Sequence, residues 1–296
     1  MKRSNEVFNR KILKYKRRIL PQPALSLFLT IVLLFIGSDG ATQENRLRIH
    51  FIDVGYGDAI FIQLPDSHTI LIDAGEKAHT RQLLDYLQSL NIHTIDQAVI
   101  THPHKNHFEG FFEILKYFSI HQLAINGEKD GEEGYEKLLE AFRDKQIPIK
   151  ELSRGMTFSG LSKSVKIEVL HPGELTGSTN GNSLVLWLKH QEISVLFMAD
   201  IELKEQDQLI ALYPKLKQAN SIKIPHHGGP LSDEFIRSFT DKNFIISTGP
   251  NPWGLPYEHD VKKLKGVIFR TDYQGTIILE SDGLSVSIKT VEDNGD

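Results

Sequence analysis

The sequence contains no cysteine among its 296 residues. Disulfide cross-links are therefore excluded, and so is a thiolate as a metal ligand or as a nucleophile. Any metal site in this protein must be built from histidine and carboxylate side chains. The chain has 13 histidines and 38 acidic residues from which to build one.

A large excess of charge of one sign is also missing. The 34 basic and 38 acidic residues leave a formal net charge of −4. No strong overall basic field is therefore available to hold nucleic acid without sequence preference, although local patches are still able to bind it. With 40% apolar and 24% charged residues, the composition is typical of a globular protein with a sizeable core and excludes global disorder.

The longest apolar run, residues 24–36, is shorter than the roughly twenty residues that span a bilayer comfortably. Eight Lys or Arg and one Glu precede this run within the first eighteen residues. A basic start followed by an apolar run predicts that residues 1–41 form an export signal, or a tilted membrane anchor if they are not removed. The predicted location is therefore periplasmic or extracellular, or on the outer side of the cytoplasmic membrane.

Residues 98–110 place His102, His104 and His107 behind a short apolar strand. A metal ion needs borderline donors that converge from different directions, and this spacing across a strand end, a turn and a helix start provides them. His102 and His104 point to the same side of the extended part, and His107 joins them where the chain turns into a helix. The stretch therefore predicts a metal site rather than a solvated basic loop.

Asn106 stands immediately before a predicted amphipathic helix over residues 107–118. Asparagine is among the preferred N-cap residues, because its side-chain oxygen accepts a hydrogen bond from a free backbone N–H of the first turn. We therefore predict that Asn106 caps this helix.

A second histidine pair, His226 and His227, follows a predicted strand over residues 219–224. The pair is flanked by proline and glycine, which indicates a tightly turned loop that exposes its side chains and suits metal ligands. Four aspartates stand at the ends of predicted strands: Asp53, Asp58, Asp73 and Asp200. Such carboxylates are usually turn residues, and they indicate a site only if the fold brings them to the histidines.

Predicted strands and helices alternate in both halves of the chain, and each half carries one histidine loop at a strand end. A predicted helix over residues 80–90 lies between strands, which implies a parallel crossover. The pattern predicts an α/β (α+β) protein with two sheet layers covered outside by helices and both histidine loops at one edge. We expect residues 46–290 to form one domain.

Residues 101–107, Thr-His-Pro-His-Lys-Asn-His, resemble the His-x-His-x-Asp-His motif of the metallo-β-lactamase fold. Other segments occur in a matching order at residues 50–58, 70–75, 182–186, 200–202, 225–228 and 270–276. Together they are similar to the hydrolase domain of ComEC-type DNA-uptake proteins and their stand-alone relatives. The resemblance extends over about residues 48–289.

The resemblance implies a four-layer αββα sandwich with a metal site at one edge of the paired sheets. The implied metal ligands are His102 and His104 for one ion, His107 with His226 or His227 for a second, and Asp200 as a bridge. The implied cofactor is a divalent metal, zinc with manganese as the alternative, in one or two ions. Asp73 would orient a ligand histidine from behind, and Asp53 and Asp58 would line the site.

Hydrolysis of phosphodiesters, with DNA or another nucleic acid as substrate class, is the chemistry that this arrangement implies. The predicted catalytic residues are Asp200, Asn106, Asp73 and Asp58. The membrane would be a partner only through an uncleaved N-terminal segment. The transmembrane helices of a full DNA-uptake channel do not occur in this sequence, so we do not expect it to transport DNA by itself.

Among the departures from the family pattern, two leave a second hypothesis open. Asn106 stands where the motif has Asp, and Leu255 stands where a histidine is expected. Tyr56 also departs from the pattern, since the relatives tend to carry Gln there. A neutral amide neither offsets the charge of a dication nor takes a proton at neutral pH. The chain is therefore either an exported hydrolase or a degenerate member that binds a ligand or partner at the cell surface without catalysis. Hydrolysis of β-lactams is a third option that rests on fold analogy alone.

Overall fold

The computed structural model describes residues 46–291. The predicted signal or anchor, residues 1–41, lies outside the described residues and stays a prediction. Within residues 46–291, no helix is both long enough and apolar enough to cross a membrane.

The described part of the chain contains sixteen strands and eight α-helices. The strands are β1 (Leu47–Phe51), β2 (Ile60–Gln63), β3 (Thr69–Ile72), β4 (Thr94–Ile95), β5 (Gln97–Val99), β6 (Ser119–Ile120), β7 (Leu123–Ile125), β8 (Ile149–Glu151), β9 (Val165–His171), β10 (Val185–His190), β11 (Ile193–Phe197), β12 (Ser221–Lys223), β13 (Thr240–Ile246), β14 (Lys265–Arg270), β15 (Thr276–Ser281) and β16 (Val286–Val291). The helices are α1 (Thr80–Ser89), α2 (Lys105–Phe108), α3 (Phe111–Tyr117), α4 (Tyr135–Asp144), α5 (Leu203–Leu212), α6 (Asp233–Ser238), α7 (Glu258–Val261) and α8 (Thr271–Gln274). Short 3₁₀ helices lie at Lys77–His79, Pro214–Gln218 and Pro225–Gly228.

Two mixed sheets form the centre of the molecule. The larger has the strand order β16-β15-β1-β2-β3-β5-β7-β8, and the smaller has the order β14-β13-β12-β11-β10-β9. Strands β3, β5, β7 and β8 run parallel to one another, as do β11 to β14. The predicted parallel crossover is confirmed, because β3 and β5 pair in parallel with α1 between them in the chain.

The sheets face each other across a continuous apolar core. Phe51 and Ile62 of the larger sheet belong to the same buried cluster as Leu186 and Phe197 of the smaller sheet. The rings of Phe51 and Phe197 lie 6.2 Å apart between centroids. Side chains of both inner faces therefore fill one layer, as in other face-to-face sheet packings.

Helices cover the outer face of each sheet. Leu83 of α1, Phe111 of α3 and Phe142 of α4 are buried in a cluster with strands of the larger sheet. Leu209 of α5 and Phe235 of α6 are buried in a cluster with strands of the smaller sheet. The three apolar clusters separate four layers, so the predicted αββα sandwich is confirmed.

The prediction of a single helix over residues 107–118 is wrong, because the structure has two helices there, α2 and α3. The backbone N–H of Ala74 donates to the carbonyl of His107 (2.8 Å), and the N–H of Gly110 donates to the carbonyl of Gly75 (3.0 Å). These bonds to the loop after β3 replace the helical bonds of this segment. The helix therefore breaks where the chain is attached to the neighbouring loop.

Candidate metal centre

The candidate centre lies where parallel strands of both sheets end. Asp73 follows β3 and His102 follows β5 in the larger sheet, while Asp200 follows β11 and His227 follows β12 in the smaller sheet. The carboxyl ends of parallel strands meet at the same edge of a sheet, and the loops there are free to carry polar side chains. The two sheets together therefore position one cluster.

Four histidines surround one carboxylate oxygen, Oδ2 of Asp200. The Nε2 atoms lie at 3.2 Å for His107, 3.4 Å for His227, 3.7 Å for His102 and 4.0 Å for His226. His104 completes the cluster, since its Nδ1 is 3.0 Å from Nε2 of His102. The structure thus brings together all six side chains that the sequence nominated as metal ligands.

Of the two adjacent histidines, His227 points deeper into the cluster. His227 is fully buried, whereas the side chain of His226 keeps 26% of its surface exposed. Both residues have left-handed backbone conformations, with φ of 52° and 53°. Such conformations cost non-glycine residues roughly 1–2 kcal/mol each and are concentrated at functional sites. This loop therefore directs both rings toward Asp200 at the expense of backbone strain.

Asp73 holds His107 from behind, as the resemblance implies. Its Oδ2 is 2.8 Å from Nδ1 of His107 and accepts from the hydroxyl of Thr101 (2.7 Å), while its Oδ1 accepts from the backbone N–H of Thr101 (2.8 Å). A carboxylate only accepts hydrogen bonds, so the proton of neutral His107 lies on Nδ1. The lone pair on Nε2 then points at Asp200.

His227 is held in the same tautomer by a backbone group. Its Nδ1 is 2.9 Å from the carbonyl oxygen of Ser247, which follows β13 and also only accepts. The lone pair on Nε2 of His227 therefore also faces the cluster centre.

Acceptor atoms consequently face one another at the centre of this cluster. Nε2 of His107 and Oδ1 of Asp200 are buried and have no hydrogen-bond partner within the described residues, a rare condition for buried polar atoms. His102, His107 and Asp200 offer ligand atoms that all lie within 4.8 Å of one another, and so do Asp58, Asp200 and His227. Imidazole nitrogens with carboxylate oxygens are donors that zinc prefers, so the residues present fit a divalent metal ion.

The pKa shifts show where positive charge is favoured. Burial alone lowers the pKa of His107, but the carboxylates of Asp200 and Asp73 outweigh it and raise that pKa to about 10. Burial alone raises the pKa of Asp200, but His227 and His107 hold it well below its usual range. Burial lowers the pKa values of His102 and His226. The space between His107 and Asp200 therefore favours a positive charge, which a proton or a metal ion supplies.

The prediction that Asn106 is an N-cap is wrong. His104 occupies the N-cap position of α2, with extended backbone (φ −93°, ψ 145°), and Asn106 lies inside the helix. Asn106 is buried, and its Nδ2 is 3.0 Å from Nε2 of His227. Its side chain therefore reaches into the metal centre, at the position where the family motif has Asp.

Lys223 is a buried site residue that sequence reasoning missed. Its Nζ lies 2.5 Å from Oδ2 of Asp58, and both side chains are almost completely buried. Oδ1 of Asp58 is in turn 3.6 Å from Nδ1 of His227. The available signal was a lysine inside an apolar strand just before the second histidine pair.

Asp53, by contrast, accepts a hydrogen bond from the N–H of Gly55 in the turn between β1 and β2.

A pocket of about 460 Å³ opens onto the centre. It is lined by Tyr56, Glu76, His104, Lys105, Asn106, Glu132, Asn180, Asp200, His226, Pro230, Trp253, Leu255 and Tyr257. The Tyr56 ring lies 4.6 Å from the His227 ring and 4.8 Å from the Trp253 ring, between centroids. An aromatic wall therefore connects the metal centre to solvent, where Trp253 is 59% exposed.

Comparison with protein families and curated proteins agrees with this geometry. Residues 52–249 match the model of the Metallo-beta-lactamase superfamily. ComE operon protein 3 of Bacillus subtilis (strain 168) is 28% identical over 278 residues, which cover 85% of this chain and 34% of that protein. Competence protein ComA of Neisseria gonorrhoeae is 21% identical over 248 residues, which cover 80% and 33%. The chain thus spans about a third of the length of these relatives.

Among solved structures, a mutant of the beta-hydroxylase CmlA of Streptomyces venezuelae superposes with a TM-score of 0.52. The sequences are 15% identical, and the match covers 79% of this chain and 54% of CmlA. At this identity the likeness concerns the fold alone.

Proposed function

The chain belongs to the metallo-beta-lactamase superfamily, and from this premise we propose that it is a metal-dependent hydrolase of phosphodiester bonds, with nucleic acid as its substrate class. The cofactor we propose is a divalent metal, zinc with manganese as the alternative. The observation that carries the proposal is a pair of buried acceptor atoms without hydrogen-bond partners among the described residues, Nε2 of His107 and Oδ1 of Asp200, which belong to ligand groups at the end of an open pocket.

Each side chain of the cluster has a task that follows from its contacts. Asp73 and the carbonyl of Ser247 hold the Nδ1 protons of His107 and His227, so that both Nε2 atoms face Asp200. Burial lowers the pKa of His104, which favours its neutral form, and Nδ1 of this ring lies 3.0 Å from Nε2 of His102. A divalent ion bound there would act as a Lewis acid that polarises a phosphate oxygen and activates water.

Two further observations support nucleic acid as the substrate class. One curated relative is named a competence protein. Several motifs of this chain also occur in the same order as in the DNA-uptake family that it resembles. The wall formed by Tyr56 and Trp253 presents an exposed ring beside the centre, and exposed aromatic rings stack the bases of single strands without sequence preference. The chain has no large excess of positive charge, so we propose that these rings and the metal hold the substrate.

We also propose that the protein is exported, to the periplasm or exterior or as an outward-facing membrane anchor. The support is the basic block and apolar run of residues 1–41.

Turnover by the full chain loaded with zinc or manganese tests the proposed activity. We expect hydrolysis of bis-p-nitrophenyl phosphate and of single-stranded DNA. His102→Ala and Asp200→Asn should each lower kcat by about a hundredfold or more, since each removes a donor to the ion. His93→Ala makes the same change at an exposed histidine and should leave the rate unchanged. Absence of both bound metal and turnover would refute the proposal.

The alternative is a member that binds a ligand or partner at the cell surface without catalysis. It is favoured by one observation: the neutral Asn106 contacts His227 inside the centre. Asn106→Asp separates the two functions. A large gain from near-zero turnover would indicate that catalysis has been lost in this chain, whereas unchanged turnover would indicate a centre that works with the amide.

A further inference from the structure

We propose that this centre binds a single divalent ion, and that Asn106 and Lys223 take the place of a second ion. Asn106 donates a hydrogen bond to His227, and Lys223 supplies a positive charge beside Asp58. The inference rests on the proposed function, because it takes the cluster around Asp200 as a metal centre. It concerns whether the centre holds one ion or two, a number that the fold does not determine.

The first observation is that a ligand atom on the second-ion side is already engaged. The carbonyl of Ser247 keeps the proton of His227 on Nδ1, so Nε2 is an acceptor. Nδ2 of Asn106 lies 3.0 Å from that atom and donates to it. The reverse orientation of the amide would set two acceptors against each other. An ion at His227 would have to displace this hydrogen bond, whereas Nε2 of His107 has no hydrogen-bond partner among the described residues.

The second observation is that a fixed cation already balances the carboxylate on this side. Asp58, Asp200 and His227 form one of the groups that could hold an ion. Oδ2 of Asp58, however, is 2.5 Å from Nζ of Lys223, a side chain with no exposed surface. The ammonium group is covalently attached and buried beside Asp58, so its positive charge offsets the negative charge of the carboxylate.

A count of the buried charges leads to the same result. The cluster contains three buried carboxylates, Asp58, Asp73 and Asp200, and one buried ammonium, Lys223. With an ion in place of the second proton that His107 would otherwise carry, the imidazoles add no charge, and the two negative charges that remain equal the charge of one divalent ion. A second dication would leave excess positive charge in a buried position, where unpaired charge is unfavourable. The group formed by His102, His107 and Asp200 offers the ligand atoms for the single ion.

The test is the number of ions bound per chain, measured independently of activity. The full chain is stripped with a chelator and titrated with Zn²⁺ alone, and bound metal is measured by elemental analysis after gel filtration. We expect one ion per chain for the wild type and two for Asn106→Asp, in which a carboxylate replaces the donating amide. Asn91→Asp makes the same change at an exposed position and should keep one ion.

Each outcome of this titration is decisive. Two ions in the wild type would overturn the inference and leave the proposed function intact, whereas no bound ion would overturn both. One ion in Asn106→Asp would overturn the role of Asn106.

Lys223→Met tests the buried ammonium. Without it, Asp58 is an uncompensated buried carboxylate, so added Zn²⁺ should raise the melting temperature of this variant by more than that of the wild type. An equal or smaller rise would overturn the role of Lys223. If the variant does not fold at all, the count for Asn106→Asp still decides whether the centre holds one ion.

Discussion

Asp73 shows how much of the centre depends on one side chain that lies behind the ligands. It is fully buried, its φ of 57° is in the left-handed region, and its carboxylate accepts from both Thr101 and His107. Asparagine and aspartate tolerate this backbone conformation better than other non-glycine residues. Asp73→Asn therefore changes the hydrogen bonding of His107 without changing the backbone.

We expect Asp73→Asn to weaken Zn²⁺ binding by roughly 10- to 100-fold, the usual effect of losing such a partner of a ligand histidine. The new amide N–H₂ is a donor, and so is the Nδ1–H of His107. Where the two face each other neither finds an acceptor, so the ring loses its fixed tautomer. Competition with a chromophoric chelator measures the affinity.

Asp96→Asn is the matched control for this variant. Asp96 is also a hydrogen-bonded carboxylate, which accepts from the N–H of Thr69 (2.8 Å), but it lies at the opposite end of β5. Zinc affinity should be unchanged in this control, and an equal loss in both variants would contradict a specific role for Asp73.

A second residue-level prediction concerns the pH dependence of stability. Burial lowers the pKa of His50 from 6.5 to about 4, and its ring nitrogens lie 2.8 Å from Tyr86 Oη and 3.1 Å from Gln63 Oε1. In the unfolded chain the ring of His50 binds a proton below about pH 6.5. In the folded protein it binds that proton only below about pH 4. The contribution of His50 is therefore complete above pH 6.5 and is lost as the pH falls toward 4.

This shift contributes on the order of 2 kcal/mol of the stability lost between pH 7 and pH 5. His50→Gln removes the titrating group, so its free energy of unfolding in urea should fall less over this interval than that of the wild type. His93→Gln, at an exposed histidine, should follow the wild type. Parallel curves for His50→Gln and the wild type would refute the prediction.

At the scale of secondary-structure elements, the break between α2 and α3 attaches the histidine motif to the loop after β3. Gly110 packs so closely against the backbone of Ala74 that a Cβ at this position would overlap the Ala74 carbonyl oxygen. The same loop begins with Asp73. The break thus connects the element that carries His107 to the residue that orients it.

Gly110→Ala should destabilise the fold by about 3 kcal/mol, because the new methyl group meets backbone atoms that have no room to move. Chemical denaturation measures the free energy of unfolding. Gly177→Ala is the matched control, since nothing lies within 4 Å of a Cβ there, and its effect should stay within about 0.5 kcal/mol. Similar values for both variants would contradict the close contact at Gly110.

This break also shows where local sequence patterns reach their limit. The spacing of Phe111, Ile114 and Leu115 predicts a buried helical face, and all three are buried in the outer core. The same pattern contains no information on the hydrogen bonds to Ala74 and Gly75, since those partners lie in another segment of the chain. The helical face was therefore predictable, but its interruption was not.

For the molecule as a whole, the candidate centre links the two sheets. His102 and His107 follow β5 of the larger sheet, whereas Asp200 and His227 follow strands of the smaller sheet. An ion bound by both groups would have to be released before the sheets separate. Metal binding should therefore stabilise the whole fold.

Removal of the metal should lower the melting temperature by about 5–10 °C. A ligand present at a hundredfold its Kd contributes about 2.7 kcal/mol, and a domain of this size responds by about 2–4 °C per kcal/mol. Melting curves with Zn²⁺ and with a chelator measure the shift. His102→Ala should show little shift, and equal melting temperatures of the wild type under both conditions would refute the link.

The sequence by itself determined the sandwich and nominated the side chains that meet around Asp200, because both are visible in short motifs of the chain. Apolar strands, the crossover around α1 and dense histidines behind a strand are all visible over short stretches of chain. Only the tertiary structure decided that Asn106 contacts His227, that Ser247 selects the tautomer of His227 and that Lys223 lies against Asp58. These contacts join residues far apart in the chain, and the charge balance of a buried centre depends on all of them together.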